Sequence, residues 1–155
     1  MKRSQQQGFT LVELVVVIVV LGILAAVALP RFVGLQGDAR FAKGQAVVGT
    51  VKAASALARA AALVKGQTGA TGTVTMEGAS VALVNGYPAG SATGIEVAAN
   101  LSGIDGVTVA HAAGTTTIQI SGAGTPANCQ ITYVASAAAD TPPTISFNGS
   151  ATNCS

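Results

Sequence analysis

An uninterrupted apolar block near the N-terminus is the strongest pattern in the chain. The sixteen residues from Leu14 to Leu29 include no polar side chain, and with the flanking residues the block extends back to Phe9. As an α-helix, residues 9–29 would be about 31 Å long, which is enough to cross the hydrocarbon core of a bilayer. The pattern therefore predicts a membrane-length helix at this end of the chain.

The next segment has the periodicity of an amphipathic helix. Apolar residues recur there at spacings of four and three, which places them on one helical face: Val47, Val51, Ala54, Ala58 and Ala61. Lys65 followed by Gly66 is typical of a helix C-terminus. We therefore predict one long helix from about Phe9 to Lys65, with a kink or break near Ala26–Pro30, because proline removes an amide donor and clashes with the preceding turn.

From Gly66 onward the chain is rich in Gly and Thr, and its apolar positions follow β-type patterns. The stretch GQTGATG is expected to be a flexible connector, and Thr93-Gly94-Ile95-Glu96 has capping-box spacing that favours a short helix over Ile95–Leu101. The β-rich stretches are Ser80–Val84 (a strand or a helical turn), a hairpin of Val107–Ala110 with Thr116–Ile120, and strands over Gln130–Val134 and Thr144–Phe147. The predicted fold class is α+β: a long kinked N-terminal helix, transmembrane in its first half, packed on a small antiparallel β-sheet.

The composition indicates one ordinary domain plus an appendage. The chain has 155 residues, is 50% hydrophobic and only 9% charged, and has no Trp. A body with so few large side chains buries a modest core and benefits from a cross-link or from assembly. Cys129 and Cys154 are the two cysteines of the chain, and in an exported protein they are expected to form one disulfide, which contributes about 3 kcal/mol in the chain-entropy model.

The charges suggest an orientation in the membrane and argue against nucleic acid as a partner. The net charge is +2, and the basic cluster is Lys2-Arg3, before the apolar block. By the positive-inside rule the N-terminus stays in the cytoplasm, so the residues after Pro30 lie outside, where disulfides form.

Three interpretations of the apolar block remain open from its residues alone. The first is a secretory signal peptide, with Ala26-Val27-Ala28 as an A-x-A cleavage site. The second is a plain membrane anchor, which gives Glu13 no role although a carboxylate at mid-bilayer is unfavourable by about 2.5–3.5 kcal/mol. Alternatively, the chain is cut between Gly8 and Phe9, and the new α-amino group pairs with Glu13 of a neighbouring subunit and sets the axial stagger between subunits.

The stretch Gly8-Phe9-Thr10-Leu11-Val12-Glu13-Leu14 resembles the prepilin signal of type IV pilins (type IVa) and their relatives. The resemblance implies that residues 1–8 are a leader removed by prepilin peptidase after Gly8. It also implies that Phe9 becomes the N-methylated terminus, that Glu13 guides subunit docking, and that the helix loses structure between Gly22 and Pro30 in the filament. Residues 9–30 would then be the transmembrane and filament-core helix. Residues 31–155 would be the extracellular head, including the second half of the helix (31–65) and a disulfide loop (129–154).

A narrower resemblance concerns the mannose-sensitive haemagglutinin pilins of Gram-negative bacteria. The stretch LPRFVGLQGDARFAKGQAVVGTVKAA, the element Asn85-Gly86-Tyr87-Pro88 and the C-terminal cysteine pair are similar to that family. The resemblance implies a pilus subunit in the bacterial inner membrane that polymerises with copies of itself, through the pilus assembly machinery, into an extracellular filament that attaches to an unknown surface or host ligand. The alternatives are a pseudopilin of a type II secretion system and a soluble secreted binding domain released after Ala28.

Other chemistry is poorly supported by the sequence. His111 is the only histidine, and no metal-ligand spacing accompanies it. Asp105 and Asp140, which could contribute to a calcium site like that of major pseudopilins, are isolated from other acids, and turn roles are favoured for both. No catalytic triad or nucleotide-binding motif is present. The sequence thus predicts a structural subunit without a cofactor, a metal or an enzymatic activity.

Overall fold

The computed structural model describes residues 9–155, so Gly8 and the rest of the expected leader lie outside the described residues. A single helix, α1 (Leu11–Val64), contains 54 residues and forms the spine of the molecule. It begins at Thr10, whose side chain accepts a hydrogen bond from the backbone N–H of Glu13. Such a bond satisfies one of the amides that a helix start leaves unpaired.

Helix α1 continues through Pro30 without a break. Of the kink or break expected near Ala26–Pro30, the break is therefore absent from this single chain. Proline still removes one backbone donor at that turn, so the helix is locally weaker there.

The C-terminus of α1 lies where the sequence predicted it. Lys65 is the C-cap, and Gly66 has a left-handed φ of +65°. The amide of Gln67 donates to the carbonyl of Ala62 at 2.8 Å, and that of Gly66 donates to Leu63 at 3.3 Å. This is the Schellman pattern, in which a residue with positive φ closes the last turn.

The rest of the chain folds into two antiparallel sheets, where the sequence suggested one. The first sheet has the order β1-β2-β3 and the second the order β4-β5-β6-β7. The strands are β1 (Gly72–Met76), β2 (Ala79–Val84), β3 (Tyr87–Pro88), β4 (Val107–Ala112), β5 (Thr115–Ile120), β6 (Gln130–Val134) and β7 (Thr144–Phe147). The long helix on two small sheets is the α+β architecture that the hydrophobic pattern predicted.

Three two-residue turns join these strands into hairpins. In each turn both central residues have positive φ, which is the type I′ geometry that matches the twist of paired strands: Glu77-Gly78, Asn85-Gly86 and Ala113-Gly114. The first sheet is built entirely from such hairpins.

The predicted stripe of α1 is the face that the sheets cover. Val47, Val51, Ala54 and Ala58 are buried, and the stripe ends at the fully buried Ala62, with Ala61 only half-buried beside it. Its lower part packs into a core with Ile118, Ile131 and Tyr133 of the second sheet. Its upper part packs with the first sheet, against Val74, Val81 and Leu83.

The short helix after the first sheet differs from its prediction. Helix α2 (Ile95–Ala98) has Gly94 as its N-cap and no side-chain capping bond, so Thr93 does not cap it. The Glu96 carboxylate, which a capping box would turn back to the backbone, contacts His111 instead. A single 3₁₀ turn, Leu101–Gly103, follows α2 where the sequence suggested one continuous helix.

Candidate functional site

The apolar half of α1 has no cover within the molecule. Every side chain described between residues 9 and 36 is exposed, for example Phe9 at 93% and Val27 at 70%, and Gly37 is the first of the described helix positions that is buried. Within residues 9–155, α1 is the one helix long and apolar enough to cross a membrane, and none of its most apolar window is buried. A contiguous apolar surface of this size marks a lipid-facing or protein-facing segment.

We call the uncovered segment of residues 9–36 the apolar rod. Glu13 lies at its start and forms a capping box with Thr10. Its Oε2 accepts hydrogen bonds from the Thr10 backbone N–H at 2.9 Å and from the Thr10 hydroxyl at 2.7 Å. Both donors bind the same oxygen, and among residues 9–155 no hydrogen bond reaches Oε1. The arrangement holds the carboxylate beside the helix N-terminus, which favours a negative charge, and leaves one oxygen open to a further donor.

Gly22 and Pro30, the two expected weak points, both lie within the exposed rod. A side-chain carbon added at Gly22 would meet nothing within 4 Å. Gly22 therefore does not need to be small to fit this single chain.

The disulfide between Cys129 and Cys154 is present, with both cysteines fully buried and their Cα atoms 5.1 Å apart. It closes a loop that contains β6 and β7 and ends on α1. At Gly37 an added Cβ would lie 2.4 Å from the backbone oxygen of Ala151, so the loop backbone rests directly on the helix there.

A second helical glycine receives an aromatic ring from the same loop. The ring of Phe147 lies over Gly44, where an added Cβ would be 2.3 Å from its Cζ, and stacks on Phe41 with centroids 5.8 Å apart. One turn below, the Arg40 guanidinium donates to the carbonyl of Cys154 at 3.1 Å. The disulfide loop is thus fastened to the helix just above the uncovered rod.

Arg59 holds the upper part of the head together, and the sequence analysis did not identify it. Its guanidinium donates to the Asn85 carbonyl at 3.1 Å, forms an ion pair of 2.7 Å with Asp140, and lies 4.8 Å from the centroid of the Tyr87 ring. The Arg59 side chain is only 15% exposed. A lone arginine on a helix has no sequence signal for such contacts, because its partners come from two distant loops.

Tyr133 links the two sheets from within the core. Its hydroxyl donates to the Pro88 carbonyl at 2.6 Å, and the side chain is fully buried. Burial raises the pKa of the Tyr133 phenol well above its ordinary value, an effect that a hydrogen bond to Ser55 opposes and the neighbouring Tyr87 phenol adds to.

The remaining residues considered for metal chemistry are separated from one another. His111 Nε2 lies 2.5 Å from Glu96 Oε2, and its Nδ1 lies 3.0 Å from the Thr116 hydroxyl. Asp140 pairs with Arg59, and the backbone carbonyl of Asp105 accepts a hydrogen bond from Lys43. Within residues 9–155 no three His, Cys, Asp or Glu side chains converge on one point.

Comparison with known proteins adds a match at the N-terminus. Residues 3–29 match the prokaryotic N-terminal methylation motif. The matched range includes Gly8, Phe9 and Glu13 and most of the uncovered rod. No solved structure matches the chain.

The similar proteins include both filament and secretion components. The type IV narrow pilus major component PilA5 of Thermus thermophilus is 50% identical over 52 residues, which is 34% of this chain and 45% of that protein. The type II secretion system core protein G of Pseudomonas aeruginosa is 41% identical over 54 residues, 35% of this chain and 38% of that protein. The same component of Klebsiella michiganensis is 49% identical over 39 residues, 25% of this chain and 28% of that protein. The chain thus aligns with less than half the length of each relative.

Proposed function

We propose that this protein is a structural subunit of a type IV pilus, which polymerises through its N-terminal helix into a surface filament used for attachment. The observation that carries the proposal is the uncovered apolar rod of α1. Apolar surface of that extent is stable only in lipid or against other apolar surface. When the subunit leaves the lipid bilayer, a helical homopolymer provides other apolar surface for the rod to pack against.

The geometry at Glu13 supports a docking role for this residue. Removal of residues 1–8 by a prepilin peptidase would create an α-amino group on Phe9, which would then be N-methylated. In the apolar surroundings of a filament core, an ammonium and a carboxylate attract each other strongly. The free Oε1 of Glu13 can accept a hydrogen bond from the amine of a neighbouring subunit while Oε2 accepts the two hydrogen bonds from Thr10.

The proposed division of the chain follows from leader removal, membrane insertion and filament assembly. Residues 1–8 are the leader, residues 9–30 cross the bacterial inner membrane and later form the filament core, and residues 31–155 form the head outside. Pro30 lacks an amide donor, and Gly22 adds backbone freedom. The segment between them is the part of α1 that would lose helical structure when the rods pack.

The head is proposed to mediate attachment, and the subclass is proposed to be the mannose-sensitive haemagglutinin kind. This part rests on the sequence resemblance after Pro30, on Tyr87-Pro88 and on the cysteine pair. The closed loop from Cys129 to Cys154 and the hairpins give the head a fixed outer surface on which a ligand could bind.

The test of the proposal is the mature N-terminus of the native protein. Mass spectrometry of sheared surface filaments should find this polypeptide beginning with N-methyl-Phe9. A chain that begins at Leu29 in the culture medium would instead indicate a soluble secreted domain and would overturn the proposal.

A second candidate is a pseudopilin of a type II secretion system, because two of the similar proteins are core protein G of such systems. Deletion of the gene separates the two functions. Loss of surface filaments with secretion intact supports the pilus, whereas retained filaments with loss of secreted enzymes supports the pseudopilin.

A further inference from the structure

The charges of the chain are divided unevenly between helix α1 and residues 66–155, the part of the head that follows it. No Lys or Arg occurs after Lys65, whereas residues 66–155 contain four acids, Glu77, Glu96, Asp105 and Asp140. Glu96 and Asp140 have partners within the chain, but among residues 9–155 no ion pair involves Glu77 or Asp105. On the helix, Lys52 is exposed and likewise forms no ion pair with a described residue. The head therefore offers carboxylates to a partner that carries cations.

A groove of about 800 Å³ lies beside one flank of α1. Its helical wall is formed by Thr50, Ala53, Ala54 and Leu57, and Met76 and Val97 form part of the opposite wall. Most of the residues that line the groove are apolar, and Glu77 is the one acidic residue among the described lining residues. Asp105 lies on the same side of the head, three residues after the groove residue Ser102, and near the helical turn of Lys43, which binds its carbonyl.

A different face of α1 presents features that complement this flank. Leu63 is 57% exposed, and Lys52 lies eleven residues before it. Eleven residues correspond to about three turns, so both side chains lie on one face, roughly 120–140° around the helix from Leu57. Ala56, Arg59 and Ala60 lie between them on or beside this face. The two alanines allow close approach, and the Arg59 side chain turns to the head, where it pairs with Asp140.

The two flanks match in spacing as well as in chemistry. Lys43 marks the level of Asp105 along the helix, because it binds the Asp105 carbonyl. The helical wall of the groove is centred about eleven residues after Lys43, or about 16 Å along the axis. Leu63 is separated from Lys52 by the same distance. A neighbouring copy shifted by nine to ten residues, about 14 Å, would bring Leu63 into the groove and Lys52 to Asp105 together.

We infer that the groove and Asp105 of one copy receive the Lys52–Leu63 face of a second copy of this chain. The contact uses different surfaces on the two copies, so it is heterologous, and it propagates into an open helical array when the rotation does not close. The inference rests on the proposed filament function and names the head-to-helix contact that would accompany packing of the rods.

A charge exchange in the full-length chain, produced in its native host, tests the contact. Lys52→Glu and Asp105→Lys should each reduce the yield of sheared filaments about tenfold, because each places like charges in apposition. The double variant should restore the yield to near that of the parent. Lys65→Glu is the matched control, because it reverses an exposed cation outside the contact, and its yield should stay close to that of the parent.

A cysteine pair provides a second measurement that does not depend on the charge variants assembling. Leu63→Cys with Ala53→Cys should give a ladder of disulfide-linked multimers in oxidised filaments. The two positions are about 15 Å apart on one helix, too far for a bond within one chain. Leu63→Cys with Thr108→Cys, an exposed position on β4, should give no ladder.

The outcomes separate the inference from the proposed function. Filaments that form normally but show neither charge rescue nor the ladder, or an equal ladder with Thr108→Cys, would overturn the contact and leave the pilus proposal standing. An unmodified parent chain that never occurs in filaments would overturn both.

Discussion

At the scale of single residues, Glu13 is the group whose role depends most on a partner outside the chain. Its carboxylate is held by Thr10 through Oε2 only. We expect Glu13→Ala to leave leader removal intact but to reduce filament yield strongly, because the proposed amine of the neighbouring subunit would then be buried without a counter-charge. The measurement is immunoblotting of processed protein in cells and in sheared filaments.

Thr10→Val separates capping from docking. This variant removes the hydroxyl from the capping box but keeps the Glu13 carboxylate, so its filament yield should exceed that of Glu13→Ala. A parental yield from Glu13→Ala would contradict the proposed pairing.

Tyr133 gives the head a predictable response to alkaline pH. Its pKa is raised in the folded protein, whereas in the unfolded chain it has the ordinary value of about 10. The folded state therefore keeps a proton that the unfolded state loses, and the stability due to this group is complete below about pH 10 and falls as the pH rises above it. Denaturant unfolding of the purified chain in detergent between pH 8 and 11 would measure this decline.

Tyr133→Phe should flatten that decline. At neutral pH it should also lower the free energy of unfolding by about 1–3 kcal/mol, because the carbonyl of Pro88 loses its donor. Tyr87→Phe serves as the control that removes a phenol elsewhere. An unchanged alkaline slope in Tyr133→Phe would show that other groups cause the decline.

At the scale of elements, the two glycines Gly37 and Gly49 of α1 should respond in opposite ways to the same substitution. Alanine stabilises a helix interior over glycine by about 0.5–1 kcal/mol. At Gly49 nothing lies within 4 Å of the new carbon, so Gly49→Ala should raise stability by about that amount. At Gly37 the new carbon would meet the Ala151 carbonyl at 2.4 Å. Gly37→Ala should therefore displace the disulfide loop and lower stability by about 1–3 kcal/mol.

Thermal unfolding and proteolysis of the C-terminal loop would measure both glycine variants. If Gly37→Ala proved as stable and as protease-resistant as Gly49→Ala, the loop would not rest on the helix as described.

The elements also show what local sequence could reveal. The length and end of α1 and four of the strands follow from periodicity and from Lys65-Gly66, because these signals act within a few residues. The hairpin of β1 with β2 was missed although Glu77-Gly78 fills its turn, because glutamate is not a usual residue at positive φ. The short strand β3 was missed because two residues carry no periodicity. The capping box at Thr93 was wrong, because a tertiary contact between Glu96 and His111 replaced the local bond.

At the scale of the whole molecule, the boundary between covered and uncovered helix falls at Gly37. The head should thus retain its fold without the apolar segment. We expect a chain that begins at residue 31 to be a water-soluble monomer, because the segment 9–30 contributes no buried side chain to the core. Sedimentation and the thermal unfolding temperature, compared with those of the full chain in detergent, would test this. Aggregation of the truncated chain would show that the rod supports the head.

The candidate site could be predicted only in part at this scale. The apolar block, Glu13 and the cysteine pair are visible in sequence because each is unusual in its local context. The disulfide loop packs on Gly37 and Gly44, and Arg59 contacts two loops of the head. The hydrogen bonds in these two regions join residues that are between 26 and 114 positions apart in the sequence. No local pattern encodes such pairings, because they arise from the packing of the two sheets on the helix.

The restriction of all lysines and arginines to the first 65 residues has a practical consequence. Trypsin has no cleavage site in residues 66–155, even when that region is fully denatured. Digestion of a filament built from this chain would release the whole outer part of each subunit as one large cystine-containing fragment. Peptide mapping of its surface, and of any sugar or other group attached there, therefore requires an enzyme that cuts beside acidic or aromatic side chains.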